Sequence, residues 1–274
     1  MSIKIAIDAG HGLYTAGKRC MKKLDSKQTR EWFLNDRIAD RLEALLGAYN
    51  CEVLRTDDTT GLTDVSLANR VKKANNWGAD IVISIHHNAG INGGTGGGTV
   101  VCCWDDTDSK NKAKALYNAV VAQTGLKGNR AYSVSVRKDL YLIKNTKSVC
   151  LLLENGFMDS ATDVPVILSD AHANKTAQGL LNYLVSQFKL TKVNTTVSNA
   201  ASPVVNTSFK VKVIVNDLNY RAGAGTEHKI NGVIRNKGVY TIVATAKSKD
   251  GGTWGKLKSG AGWINISSKY VSRV

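Results

Sequence analysis

The sequence predicts an α/β unit, a mostly parallel or mixed sheet with helices on both faces, followed by a small all-β barrel. Three observations lead there. Short apolar runs alternate with amphipathic segments from Ser2 to about Leu190, several of those runs are apolar throughout, and beyond Thr207 the pattern changes to brief β-like pieces parted by glycine-containing turns. An unbroken apolar strand suits a sheet covered on both faces, because a half-exposed strand would alternate.

In chain order, the expected strands are IKIAID (residues 3–8), CEVLRT (51–56), DIVISI (80–85), GTVVCC (98–103), LYLI (140–143) and VCLLLE (149–154). Between the first two, Glu31 to Ala48 carries Leu34, Ile38, Leu42 and Leu45 at helical spacing. Helices also suit Thr63 to Trp77, Ser109 to Thr124 and Ala171 to Phe188. The stretch TKVNTTVSNAASPVVN has no periodicity that would support a core and reads as a linker. The domains are therefore 1–190, the linker 191–206, and 207–274, where FKVKVIV, GVYTIVA, TWGKL and GWINI supply the strands of the barrel.

The composition, 43% hydrophobic and 22% charged, is that of an ordinary globular protein and excludes global disorder. No apolar stretch is long enough to span a bilayer, and Met1 to Asp8 does not read as an export signal, so synthesis in a cytoplasm is expected. The five cysteines are odd in number and mostly sit in apolar runs, as reduced packing residues do. Net charge is +15, of which +9 lies beyond Thr207, where twelve Lys and Arg face Asp217, Glu227 and Asp250. Such a surface suits a polyanion: nucleic acid, an acidic membrane, or the teichoic acids of a bacterial wall. Nucleic-acid binding would need a recognition helix or an aromatic platform aligned with the basic residues, and neither is legible.

Three polar residues stand at or just past the ends of apolar strands: His11, His86 and Glu154. If those strands run parallel, their carboxyl ends share one edge of the sheet, where ligands bind. Glu31 opens the helix whose inward stripe begins with Leu34 and Ile38, so it lies on or beside the buried face. It suits the helix dipole equally well. Two imidazoles and a carboxylate are a ligand set for catalytic zinc with one position open, and a second carboxylate would remain to move a proton. His86 and His87 cannot both face one metal from a regular strand, so one of them is expected to be a hydrogen-bonded core residue. His172 and His228 have no motif around them. The run Gly90 to Gly98 lacks the Gly-Lys-Ser/Thr ending of a phosphate loop and reads as a flexible wall of a substrate groove.

The motifs DAGHG (8–12), Glu31 with Asn35 after it, SIHHNA (84–89) and LLLENGFM (151–158), in this order, resemble the zinc-dependent N-acetylmuramoyl-L-alanine amidases of cell-wall hydrolases and phage endolysins. The resemblance runs through residues 2 to 188 and implies a twisted mixed sheet with helices on both sides. It implies Zn2+ held by His11, Glu31 and His86, with Glu154 as general base and then acid, and hydrolysis of the amide between N-acetylmuramic acid and L-alanine. The chain departs from that family at His87, where a small residue is common. LNYRAGAGT (218–226), Trp254 and Gly262-Trp263-Ile264 resemble bacterial SH3-like wall-binding domains, which implies a peptidoglycan partner and Tyr220, Arg221 and Trp254 as contact residues. Together these imply an endolysin acting on the wall after the membrane is breached, with a non-catalytic wall-binding protein, or a zinc hydrolase of another wall amide, as the alternatives.

Overall fold

The computed structural model describes residues 2–193 and 205–274, and the chain forms two compact units, Met1–Val193 and Asn194–Val274. The expected linker falls largely on residues 194–204, outside the described residues. Its first residues belong to the N-terminal unit: Thr191 donates to the Asn50 side chain, and Lys192 bridges to Tyr49.

The N-terminal unit runs β1 (Ile3–Ala9), α1 (Glu31–Leu46), β2 (Cys51–Arg55), α2 (Leu67–Trp77), β3 (Ile81–Asn88), β4 (Thr99–Cys103), α3 (Thr107–Thr124), β5 (Val134–Val136), α4 (Tyr141–Asn145), β6 (Val149–Phe157), α5 (Val164–Ile167) and α6 (Asp170–Phe188). The sheet order is β2-β1-β3-β6-β4-β5. Strands β2, β1, β3 and β6 are parallel, and only the β4–β6 pairing is antiparallel. The carboxyl ends of β1, β3 and β6 therefore open on one edge, with Ala9 beside Ile85 and His86 beside Glu154.

Alternation along the strands divides the core. Ile5, Ile7, Ile83, Ile85, Leu151 and Leu153 pack with α1, α3 and α6, while Ala6, Val82, Cys102, Cys150 and Leu152 pack with α2 and α4. Helices thus cover both faces, as the apolar strands require. One expected strand is a helix: LYLI forms most of α4, which packs Leu142 and Ile143 on the α2 side. A four-residue apolar run does not distinguish the two conformations. The α2 helix starts at Leu67, later than the expected Thr63, because the Ser66 side chain caps it by accepting from Asn69 N. All five cysteines are free and four are buried. Among the described residues no helix is long and apolar enough to cross a membrane.

The C-terminal unit is antiparallel: β7 (Val205–Val213), β8 (Leu218–Arg221), β9 (Ile230–Ile234), β10 (Val239–Lys247), β11 (Thr253–Leu257), β12 (Trp263–Asn265) and β13 (Val271–Arg273), in the order β13-β7-β10-β11-β12-β8-β9. Its core is Val211, Val213, Leu218, Ile234, Ile242, Leu257, Ile264 and Val271. Trp254, expected as a contact residue, is 3% exposed. It shares the strand face of exposed Lys256, opposite the face that sends Leu257 into the core.

Candidate metal centre and active-site cavity

His11 follows β1 in a left-handed backbone conformation, φ 68°, uncommon for a residue with a side chain. Arg70, a fully buried residue of α2, holds it there. Its guanidinium donates to the carbonyls of Ala9 (2.7 Å) and His11 (2.8 Å) and to Asp8 Oδ1 (2.7 Å), and its Nε donates to the Val65 carbonyl. Ser84 and Thr56 complete the shell of Asp8. Gly10 must be glycine, because a Cβ there would lie 2.0 Å from the His86 ring.

Glu31 stands in the first turn of α1, 1% exposed, and its two oxygens reach two imidazoles: Oε1 is 3.0 Å from His86 Nδ1 and Oε2 is 3.2 Å from His11 Nε2. The His11 and His86 rings meet edge to face, centroids 4.8 Å apart. Ligand atoms of His11, Glu31 and His86 all lie within 4.8 Å of one another, so this group could hold a metal ion. Burial alone would raise the Glu31 carboxyl, but the hydrogen bonds and charges of His11 and His86 outweigh it and hold the pKa well below the usual range. Burial works against a charged His86 as well, and Glu31 prevails, leaving its pKa raised.

His87 follows Ile83 and Ile85 onto the face covered by α1. Its Nδ1 lies 2.7 Å from Asn35 Oδ1, and the Asn35 amide donates to the Gly10 carbonyl. Asn35 Oδ1 can only accept, so Nδ1 carries the proton; burial pushes the His87 pKa down to about 3. The His87 amide donates to Glu31 Oε1. Of the adjacent pair, His86 joins the cluster and His87 braces Asn35 and Glu31.

A cavity of about 390 Å³ opens beside the cluster, lined by Glu31, His86, His87, Glu154, Lys18 and Arg19 among others. Glu154 Oε2 is buried without a hydrogen-bond partner, and burial pushes its carboxyl up to about 7 against the pull of His86 and Lys18. The Gly90–Gly98 run is tied down rather than loose. Asp159 Oδ2 accepts from the amides of Gly90, Ile91 and Asn92, each at 2.8 Å, and Asp163 Oδ2 from those of Gly98 and Phe157.

His172 also has a place: Asn155 Nδ2 donates to its Nε2, and burial lowers its pKa to about 4. The other candidate contact residues lie in the C-terminal unit. Tyr220 is half-buried and packs at that unit's core, and Arg221 donates to the carbonyls of Thr226 and His228. Arg70 and His172 escaped the sequence reading of the site, and Asn35 was read there only as part of a motif, although an arginine on the apolar stripe of α2 was a visible anomaly.

Comparison with known proteins places this geometry in context. The chain is 30% identical to the N-acetylmuramoyl-L-alanine amidase CwlM of Bacillus licheniformis over 226 residues, 81% of each chain. It is 27% identical to the endolysin of Bacillus phage SPP1 over 99% of this chain and 98% of that one. Among solved structures, the catalytic domain of CwlV, an amidase from Bacillus (Paenibacillus) polymyxa var. colistinus, superposes with a TM-score of 0.61 at 25% identity, covering 69% of this chain and 99% of its own. A family model for N-acetylmuramoyl-L-alanine amidases matches residues 5–185, so the chain belongs to the N-acetylmuramoyl-L-alanine amidase family.

Proposed function

We propose that the chain is a zinc-dependent hydrolase of the amide between N-acetylmuramic acid and L-alanine, and that it acts as an endolysin whose C-terminal unit holds it to the wall. The observation that supports the chemistry is the gathering of His11, Glu31 and His86 beside Glu154 at one cavity. The donor set fits zinc: two imidazoles and one carboxylate leave a position open, and Glu31 Oε2 is buried with no well-aligned hydrogen bond. When bound, zinc supplies Lewis acidity, towards a carbonyl oxygen and towards water.

Glu154 acts on protons. Its carboxylate takes a proton from water as the water oxygen bonds to the scissile carbonyl carbon. The same proton passes to the amide nitrogen as the C–N bond breaks, and the peptide leaves as an amine. Among the described residues lining the cavity, Glu154 is the carboxylate left over once Glu31 is committed to the two histidines. Arg70, Asn35 and His87 hold the ligand-bearing backbone in place, so little reorganisation is needed on reaction.

The C-terminal unit is proposed to be an SH3-like wall-binding domain, supported by its antiparallel strands and by the turn after β8. Its exposed lysines suit the phosphates of teichoic acids. The end-to-end match to a phage endolysin supports the lytic role. The test is release of ends from purified Gram-positive peptidoglycan. Expected are new L-alanine amino termini without new reducing sugars, falling about 100-fold or more in Glu154→Gln, lost with a chelator and restored by zinc. New termini on another residue would assign a different wall amide, and no release from active preparations would overturn the reading.

A further inference from the structure

The cavity has a cationic edge that the hydrolytic chemistry leaves unused. Lys18 and Arg19 line it together with Glu31 and Glu154. Both side chains are exposed, and neither forms an ion pair with a described carboxylate. Several arginines of this unit are engaged, Arg55 with Asp36 and Asp57, Arg70 with Asp8 and Arg137 with Asp139, and what sets Lys18 and Arg19 apart from its other free cations is their place on the cavity.

The backbone that carries the two cations is fixed. The Lys18 carbonyl accepts from the Glu31 amide at 3.0 Å, Arg19 bridges to Arg30, and the Cys20 amide donates to the Thr29 carbonyl at 2.9 Å. The segment is thus stitched to the start of α1, the helix that presents Glu31. The Lys18 charge also reaches Glu154, whose carboxyl it pulls down.

Two like charges held on one edge of a cavity repel each other and favour an anion between or beside them. The amide of the proposed reaction joins a sugar's neutral lactyl group to a peptide, and the carboxylates of a stem peptide lie beyond its first residue, on the amine side. We infer that Lys18 and Arg19 form a subsite for a carboxylate of the peptide leaving group, so that the enzyme selects anionic stem peptides. Arg19 brings a planar fork that matches a carboxylate, and Lys18 a compact charge. This rests on the amidase reading.

The test compares untreated peptidoglycan with the same peptidoglycan after its peptide carboxylates are amidated, reading initial rates of L-alanine amino-terminus release at limiting wall concentration. Wild type is expected to act about tenfold faster on the untreated wall. In the double variant Lys18→Gln, Arg19→Gln the ratio falls close to one, and Arg19→Lys, which keeps the charge and loses the fork, gives a ratio between the two. A ratio in the double variant equal to that of wild type, or no preference in wild type, overturns the subsite. Should the double variant act on neither wall, Lys18→Gln and Arg19→Gln are read singly, and an unchanged ratio in both overturns it. Wild type that releases nothing from either wall overturns the amidase reading and the subsite with it.

Discussion

The N-terminal unit buries Asp8, Glu31, Asn35, Arg55, Asp57, Arg70, His87, Asn155, Asp159, Asp163 and His172, whereas in the described part of the C-terminal unit the buried polar side chain is Ser248. The second unit keeps an aliphatic core and displays its charge outside. Burying polar groups is costly unless each is bonded, and a bonded network has few alternative arrangements. The difference separates two tasks. Hydrolysis needs side chains fixed to within a fraction of an ångström, while the adhesion proposed for the second unit would need only a stable surface of the right sign.

The largest effect that would sharpen this comparison is expected at Arg70. Arg70→Met leaves Asp8 buried without its partner and should destabilise the N-terminal unit by about 3 to 5 kcal/mol, with the His11 loop loosened. Urea unfolding of the full chain should show that unit's transition moving and the other's staying. If both move together, the two do not fold independently and the comparison breaks.

Acid should separate the units next. His172 has a folded pKa of about 4 against an ordinary 6.5, so above pH 6.5 it is neutral whether folded or not and has no effect. Between 6.5 and 4 the unfolded chain binds a proton that the folded one excludes, and stability falls as the pH drops. The His172 share of that loss is about 2 kcal/mol at pH 5, and His172→Gln should remove that share while His87, with a folded pKa of about 3, keeps its own. Equal slopes in the wild type and this variant would place the acid sensitivity elsewhere.

The smallest stability effect is expected on the outer face of the C-terminal unit. Lys210→Gln with Lys212→Gln, both exposed on β7, should change its stability by less than about 0.5 kcal/mol. Retention on isolated walls at low salt should fall nonetheless. Unchanged retention would argue that this basic surface serves solubility alone.

The sequence made the parallel strands legible because they are apolar on both faces, and that placed His11, His86 and Glu154 at one edge before any coordinates. Other features depend on partners far away in the chain. Arg70 and Asp8 are 62 residues apart, and Asp159 reaches Gly90 to Asn92 across 67 to 69. A glycine-rich run reads as loose until the carboxylate that anchors it is seen. LYLI was too short to commit to one conformation, and β5, only Val134–Val136, was too brief to register. Trp254 shows another limit: the motif that suggests contact carries no signal of burial, and the residue is 3% exposed.

The buried cysteines give the molecule a reporter that needs no engineering. Burial pushes the thiols of Cys20 and Cys102 up to about 12, and every cysteine lies in the N-terminal unit. An alkylating reagent, which consumes thiolate, should find almost none at the four buried positions while that unit stays closed, half-buried Cys51 being read apart. The pace of labelling at those buried positions therefore times the opening of the N-terminal unit alone, in an intact chain, with the C-terminal unit silent.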